Sequence, residues 1–459
     1  MARVSGLLLQ GAAARLRAPC VAIVVLWVVV LWACLTEPDA PRPGAAPASV
    51  QPPSPAPRTP AVMADILSSG PIPVVRSGQR SPVGGIFDRF DVNAQPIAAP
   101  VNAAGQVAFY ASILRDKARE GIFLASAGQI IKAAAVGDRV PGGGILSEFA
   151  KHPMPALNNH GTIAFGAALT GANGGEGMFL SRGGVLTVVA LAGADAPGVV
   201  GGTFAEFDAP ALNDGEDMVF VALVRRGRET FQALYRLSNG RLRKLIAEGD
   251  PVPGGGTFDK FGIPSINNRG VIAFPASLDH APALGGIFVT GTRDLKLLAA
   301  VGTLAPDGRM MVRFSERVAI DDDDDIAFGA VLGAGKTAAE AVMMVNTTGL
   351  ELLAVTGAPA PGGGRFAGFG PWPSAGPAGR VVFVAALEDG PGQTGIYASR
   401  SGTLSRVILT GDPLPGGGVL APFAINAVTS AGQDGGVTFA TMTGTAEGHR
   451  IYYFKPKTE

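Results

Sequence analysis

Apolar residues in this chain come in short alternating runs, and the runs recur. Between Ile163 and Leu169, the residues Ile163, Phe165, Ala167 and Leu169 fall on one face, and Ala164, Gly166 and Ala168 on the other. A period of two predicts a β-strand. Both faces are apolar or small, so the strand is expected to lie between two other layers rather than half in water. Ile272, Phe274, Ala276 and Leu278 repeat the pattern against Ala273, Pro275 and Ser277. The Phe of this strand returns at Phe109, Phe165, Phe220, Phe274, Phe328, Phe383 and Phe439, at intervals of 56, 55, 54, 54, 55 and 56 residues. So even a period over the whole chain marks a repeat architecture.

Each copy carries the same companions. Before the Phe stands a turn phrase, Asn-x-x-Gly, as in Asn102 to Gly105. Asn and Gly both tolerate positive φ, which suits a hairpin turn. Asp321, Gly376 and Gly432 replace the Asn in later copies. After the Phe comes a short run ending in an aromatic residue or Met, as in Gly121-Ile-Phe123 and Ala341-Val-Met343. A third apolar run then ends in Gly and leads into a Pro/Gly-rich loop, clearest as Gly249-Asp-Pro-Val-Pro-Gly-Gly-Gly256. A fourth run with Phe at its front (Phe149, Phe207, Phe261, Phe314, Phe369 or Phe423) returns to the turn phrase. All four runs are short, bounded by Gly, Pro, Asn and Asp, and read as strands.

Four strands in about 55 residues, seven times over, predict an all-β fold: a seven-bladed β-propeller of four-stranded blades. The ends support closure of the ring. The chain stops just after its seventh aromatic phrase, Ile451-Tyr-Tyr-Phe454, with no strand to follow, while an unmatched strand, Ile72-Pro-Val-Val75, stands near the beginning. That N-terminal strand is expected to complete the last blade and remove an exposed edge. An open solenoid with caps is the alternative, but its strand count does not come out whole.

Composition adds a separate N-terminal device. Arg3, Arg15 and Arg17 precede an uncharged stretch from Ala18 to Thr36, and Glu37 and Asp39 follow it. This charge order keeps the N-terminus in the cytoplasm and sends the rest outward. Leu31-Trp-Ala-Cys34 resembles a bacterial lipoprotein box in which Cys34 is lipidated after cleavage, although Trp32 stands where a small residue is usual. An uncleaved membrane anchor and plain signal cleavage are the other two readings. Pro38 to Pro60 is dense in Pro, Ala and Ser, and reads as an extended spacer. The chain is therefore divided into 1–36 (signal peptide or anchor), 37–63 (spacer) and 64–459 (propeller). Both cysteines, Cys20 and Cys34, precede the propeller, so the exported domain relies on core burial and ring closure rather than disulfides. Lys and Arg number 37 and so do Asp and Glu, which excludes the basic stripe of a nucleic-acid binder.

The signature Asn-x-x-Gly-x-x-Ala-Phe is complete at Asn102 to Phe109, Asn158 to Phe165 and Asn267 to Phe274. It resembles the bacterial exported tandem-repeat family named for the NxxGxxAF motif, the choice-of-anchor tandem repeat proteins. The resemblance covers roughly residues 72 to 454 and implies export and surface attachment. It supplies no catalytic residue.

Candidate chemistry is sparse. Asp138, Asp250 and Asp412 occupy the same place in their Pro/Gly loops, and Asp195 is a looser equivalent. Together they form a candidate acidic ring for a cation or sugar hydroxyls, set against the simpler role of Asp after Gly as a turn cap. Asp321 to Asp325 is a run of five carboxylates, in which Asp321, Asp323 and Asp325 are candidate Ca²⁺ ligands. That run lacks the alternating spacing of a calcium loop, and a solvated acidic turn is the plainer account. His152, His160, His280 and His449 are too scattered for a metal cluster. Glu148, Glu206, Asp259 and Lys260 are first suspects for acid–base work at the channel mouth, against a structural role on the rim. Gly333-Ala-Gly-Lys336-Thr lacks the spacing of a phosphate loop. No cofactor is expected apart from Ca²⁺. The expectation is an exported, membrane-tethered monomer acting as a cell-surface binding module for a protein or glycan rather than as an enzyme; the alternative is a propeller hydrolase or lyase acting on an extracellular polysaccharide.

Overall fold

The computed structural model of the chain describes residues 70–454 except 92–98, 150–153, 172–174, 292–293, 347, 415–417, 424–429, 433–434 and 442–447. Every sheet lies in one compact unit, Thr59–Glu459. The signal, lipidation and spacer expectations, Cys34 included, fall outside the described residues.

Seven antiparallel sheets follow one another along the chain, each ordered inner, second, third and outer strand. In the third blade these are Gly202–Phe207 extended by Ala211–Leu212, then Met218–Arg226, Glu229–Ser238 and Arg241–Ala247. The first blade begins with Ile86–Phe87, and the seventh contains Ser430–Ala431, Val437–Thr441 and Arg450–Phe454. Ile72–Arg76 adds to that seventh blade as its outer strand, pairing Ile72 with Tyr453 and Val75 with Ile451. The protein is a seven-bladed β-propeller closed by its N-terminal strand.

The repeated Phe and the aromatic phrase are direct cross-strand partners. Phe165 faces Phe179, Phe220 faces Tyr235, and Phe274 faces Phe288. Their rings stack with centroids 5.6, 6.0 and 5.6 Å apart. Each such pair adds about 0.5–1.5 kcal/mol to the hydrophobic gain of burial. Large and small faces then alternate around the ring: Ile163, Phe165, Ala167 and Leu169 pack on Ala108, Ile122 and Ala134 of the preceding blade. Small side chains on one sheet let the aromatic layer of the next approach closely. Ring closure uses the same packing, with Val75 and Ile451 buried against Phe87, Phe90 and Phe109.

The inner strand differs from the single run expected. In the second, third, fourth and sixth blades it comes in two segments, the later one following Pro155, Pro210, Pro264 and Pro371 to Pro373 respectively. Proline lacks the N–H a ladder needs. The fifth blade has Val318 where Pro264 stands one repeat earlier, and its inner strand runs unbroken from Met311 to Ile320 with a bulge between Phe314 and Val318.

Candidate functional site

The propeller has two faces. Turns joining inner to second strands, and third to outer strands, lie on one face. Loops joining second to third strands, and outer strands to the next blade, lie on the other, which we term the loop face.

On the turn face the Asn of the turn phrase does more than shape a hairpin. Asn158 Oδ1 accepts from the backbone N–H of His160 and Thr162, at 3.1 and 2.9 Å. Its Nδ2 donates to the carbonyl of Asn213 in the next blade, 3.2 Å away. Asn102 donates likewise to Asn158, Asn213 to Asn267, and Asn267 to Asp321. A circuit of buried amides thus links blades one to five. The following residues form a second circuit, Asn159 to Asp214 and Asn268 to Asp322. The repeat spacing alone could have suggested that these turns neighbour one another; it could not show that the amide crosses between them.

A second cross-blade position was missed from the sequence. Glu120, Gln232 and Glu340 each accept the backbone N–H of a Phe in the next blade's inner strand: Phe149 at 3.1 Å, Phe261 at 2.9 Å and Phe369 at 3.0 Å. Glu176 does the same for Phe207 at 3.4 Å. The signal was present, since an acid or amide stands immediately before the aromatic phrase in these copies. His449 holds that place in the seventh copy, 3.5 Å from Asp91 of the first blade. Tyr110, also of the first blade, donates its hydroxyl to Glu120 at 2.6 Å. Burial and the Glu120 carboxylate both push the Tyr110 pKa up, so it stays a protonated donor.

The loop aspartates turn back on their own blades. Asp138, Asp250 and Asp412 each accept the backbone N–H three residues earlier, from Ala135, Ala247 and Leu409, at 2.9, 2.8 and 2.8 Å. Asp138 also pairs with Lys132 at 2.7 Å, while Lys244 and Arg406 lie 3.8 Å from Asp250 and Asp412. Asp195 lies in the corresponding hairpin, bridged to Thr203. Turn capping and local ion pairs occupy the first three.

The acidic run sits on the turn face. Asp321 occupies the Asn place and accepts N–H groups from Asp323 and Asp325, both at 2.9 Å. Asp324 pairs with Arg269 at 2.5 Å, and Asp322 serves Asn268. Burial raises the pKa of Asp321; burial and neighbouring carboxylates push Asp325 up to about 6. Among the described residues no three His, Cys, Asp or Glu side chains are gathered to hold a metal ion, and Asp323 does not converge with Asp321 and Asp325 on one. Lys260, in the fourth blade's inner strand, pairs at 2.7 Å with Glu248, which follows the third blade's outer strand, and Asp259 accepts from Ser277 at 2.8 Å within the fourth blade. Glu148 lines a narrow cleft between the second and third blades with Glu176 and Phe207. Glu206 lies in the third blade's inner strand. His160 is in a turn and His280 in an exposed loop; His152 lies outside the described residues. Gly335–Thr337, with Lys336, forms a single 3₁₀ turn.

At the ring axis, where inner strands of successive blades meet, Arg317 breaks the apolar pattern. It bridges to Ile263 of the preceding blade, and its guanidinium lies 6.0 Å over the ring of Trp372 in the next. Both side chains are half-buried. Burial lowers the Arg317 pKa, but a guanidinium remains charged.

Fold and rings together define a closed, seven-bladed propeller whose repeated polar residues join its blades. Residues 68–283 and 279–451 match a family described as a family of unknown function, DUF7453, and the chain belongs to that family. No curated protein matches it. Among solved structures it is similar to the polysaccharide lyase Uly1, at 12% identity over 85% of this chain and 98% of that one, with a TM-score of 0.45. It is similar to a fungal lectin of Aleuria aurantia, a six-bladed propeller with fucose recognition, at 10% identity over 80% and 97%, TM-score 0.33. A chain of the mitotic checkpoint complex gives 12% identity over 87% and 99%, TM-score 0.40. These are similarities alone; the fold rests on the seven sheets themselves.

Proposed function

We propose that this protein is an exported, membrane-tethered propeller that binds a glycan or protein at the cell surface through its loop face. One observation carries this. Of the eleven large apolar side chains exposed among the described residues, seven lie in or beside the loops of that face. They include Val200 at 98%, Leu284 at 77%, Leu304 at 63% and Val419 at 60% exposure. Apolar side chains gathered on one face, on a scaffold whose repeated polar groups are spent on joining blades, suit a contact surface. The N-terminal segment and the NxxGxxAF resemblance support export and anchoring, with Cys34 as the lipidated residue if the segment is processed as a lipoprotein.

Two experiments test this. Cell fractionation with palmitate labelling, comparing the native chain with Cys34→Ala, should place the protein in the membrane fraction with the propeller open to external protease. Protection from that protease in intact cells refutes export. Ser at Val200, Leu284 and Leu304 should weaken adhesion to extracellular polysaccharide or surface protein at least tenfold while leaving Tm unchanged. Unaltered adhesion refutes the loop-face assignment.

A second reading, an enzyme acting on extracellular polysaccharide, draws on the titratable groups near the closing seam: Tyr110 with Glu120, and His449 with Asp91. Polysaccharide cleavage abolished by both Tyr110→Phe and His449→Ala would support it; cleavage by neither the native chain nor its variants removes it.

A further inference from the structure

Arg317 carries a positive charge beside the ring axis with no acid among the described residues to neutralise it. Among the described residues no carboxylate lies within ion-pair distance, and burial alone depresses its pKa, with no neighbouring charge contributing. Residues 92–98, 150–153 and 424–429, outside the described residues, contain no Asp or Glu. Glu316, next in the chain, is exposed and gives its backbone carbonyl to Ile263. Buried or half-buried guanidinium groups are ordinarily paired, because desolvating a lone charge is costly and arginine cannot shed its proton. At the equivalent repeat positions stand Ala209 and Ile263, and in the next blade Trp372. Two successive blades therefore replace small or aliphatic residues with a cation and an indole, side by side at the axis.

We propose that Arg317 and Trp372 form an anion subsite for a carboxylated sugar, a uronate unit of an acidic polysaccharide. This rests on the surface-binding function above and names its ligand class. The guanidinium fork matches a carboxylate bidentately. The indole, half-buried beside it, offers a platform for the C–H face of the ring bearing that carboxylate. An acidic peptide carries its carboxylates on flexible stems and makes no use of such a platform, so the pairing of the two side chains favours a sugar acid. The backbone sets where the side chain starts: Arg317 lies in the bulge after Phe314, and Val318 in place of Pro264 resumes the ladder directly after it by pairing with Phe328.

The test is isothermal titration of the full chain in detergent with oligouronides (galacturonate, mannuronate and glucuronate), neutral oligosaccharides of equal length, poly-glutamate and acetate. The expected result is binding of at least one oligouronide, weakened tenfold or more in both Arg317→Gln and Trp372→Ala, with Arg317→Lys intermediate. Arg317→Gln should keep or raise Tm, because it removes an unpaired charge; a structural arginine would lower it. Trp372→Phe preserves the aromatic volume and guards against a misfolded alanine variant. Unchanged oligouronide affinity in Arg317→Gln overturns the proposal. So does poly-glutamate or acetate binding as tightly as the sugar acid, or no oligouronide binding by the folded native chain. Neutral glycans binding equally to the native chain and all variants would leave the surface-binding function standing and sink the subsite alone.

Discussion

Truncating Asn158 to Ala should cost about 2–4 kcal/mol, and the structure apportions that cost. The side chain is 3% exposed and makes three hydrogen bonds, two as acceptor within its turn and one as donor to the next blade. At about 1 kcal/mol net for each bond the loss is about 3 kcal/mol. The term from Thr162 lies at the upper end, because that residue is 2% exposed and water cannot replace the lost acceptor. Asn158→Asp separates the two roles. It keeps both accepted bonds but loses the donor, and it sets a carboxylate against the Asn213 carbonyl. Its cost should be about 1–3 kcal/mol at neutral pH and should shrink in acid, where a protonated carboxyl can donate again. Equilibrium urea unfolding at pH 7 and pH 5, with the m-value checked for constancy, measures both. The circuit is refuted as a blade-joining device if Asn158→Ala costs less than about 0.5 kcal/mol, below the smallest net bond, or if Asp and Ala cost the same at both pH values.

Three further outcomes are expected. The folded pKa of Asp325, about 6, stands above the ordinary carboxylate value of about 3.9, so this site favours folding most below pH 4 and loses that contribution as pH rises through 6. Asp325→Asn should therefore stabilise at pH 7 by on the order of 1 kcal/mol, after allowance for partial exposure, and do little at pH 4; equal effects at both would refute the assignment. Tyr235 and Tyr397 bury hydroxyls that have no hydrogen-bond partner, where other blades carry Phe123, Phe179 and Phe288; replacing both with Phe should leave stability unchanged or raise it by up to about 1–2 kcal/mol, and a loss beyond 1 kcal/mol would reveal a partner for the hydroxyls. Val75 is 1% exposed in the closing strand, so Val75→Ala should cost about 1–3 kcal/mol and open the seam, read as faster proteolysis between residues 70 and 80 than elsewhere; uniform proteolysis would show that the seam is not the weak point.

Much of the blade was legible in the sequence. The alternation around Phe165 placed its faces, and the unmatched strand at Ile72 predicted the partner that Tyr453 and Ile451 require. The break at Pro210 and Pro264 was less so, because a proline's effect on a ladder depends on which edge its missing N–H would have faced. The loop aspartates were read as facing one another across the axis or capping a turn, and spacing along the chain cannot distinguish the two: Asp138 and Asp250 hold the same place in their copies either way. Their contacts with Ala135, Ala247 and Lys132 belong to three-dimensional geometry.

What the sequence determined by itself is the period, the strand count and the closure, because each depends on local alternation and on counting. What only the tertiary structure decided is where polar groups from different blades meet. Asn158 reaches the Asn213 carbonyl and Arg317 reaches the Trp372 ring across sheet interfaces, between residues 55 positions apart in the chain. No local pattern encodes such a meeting; it follows from sheets that pack large face on small face, at a separation that the side chains themselves set.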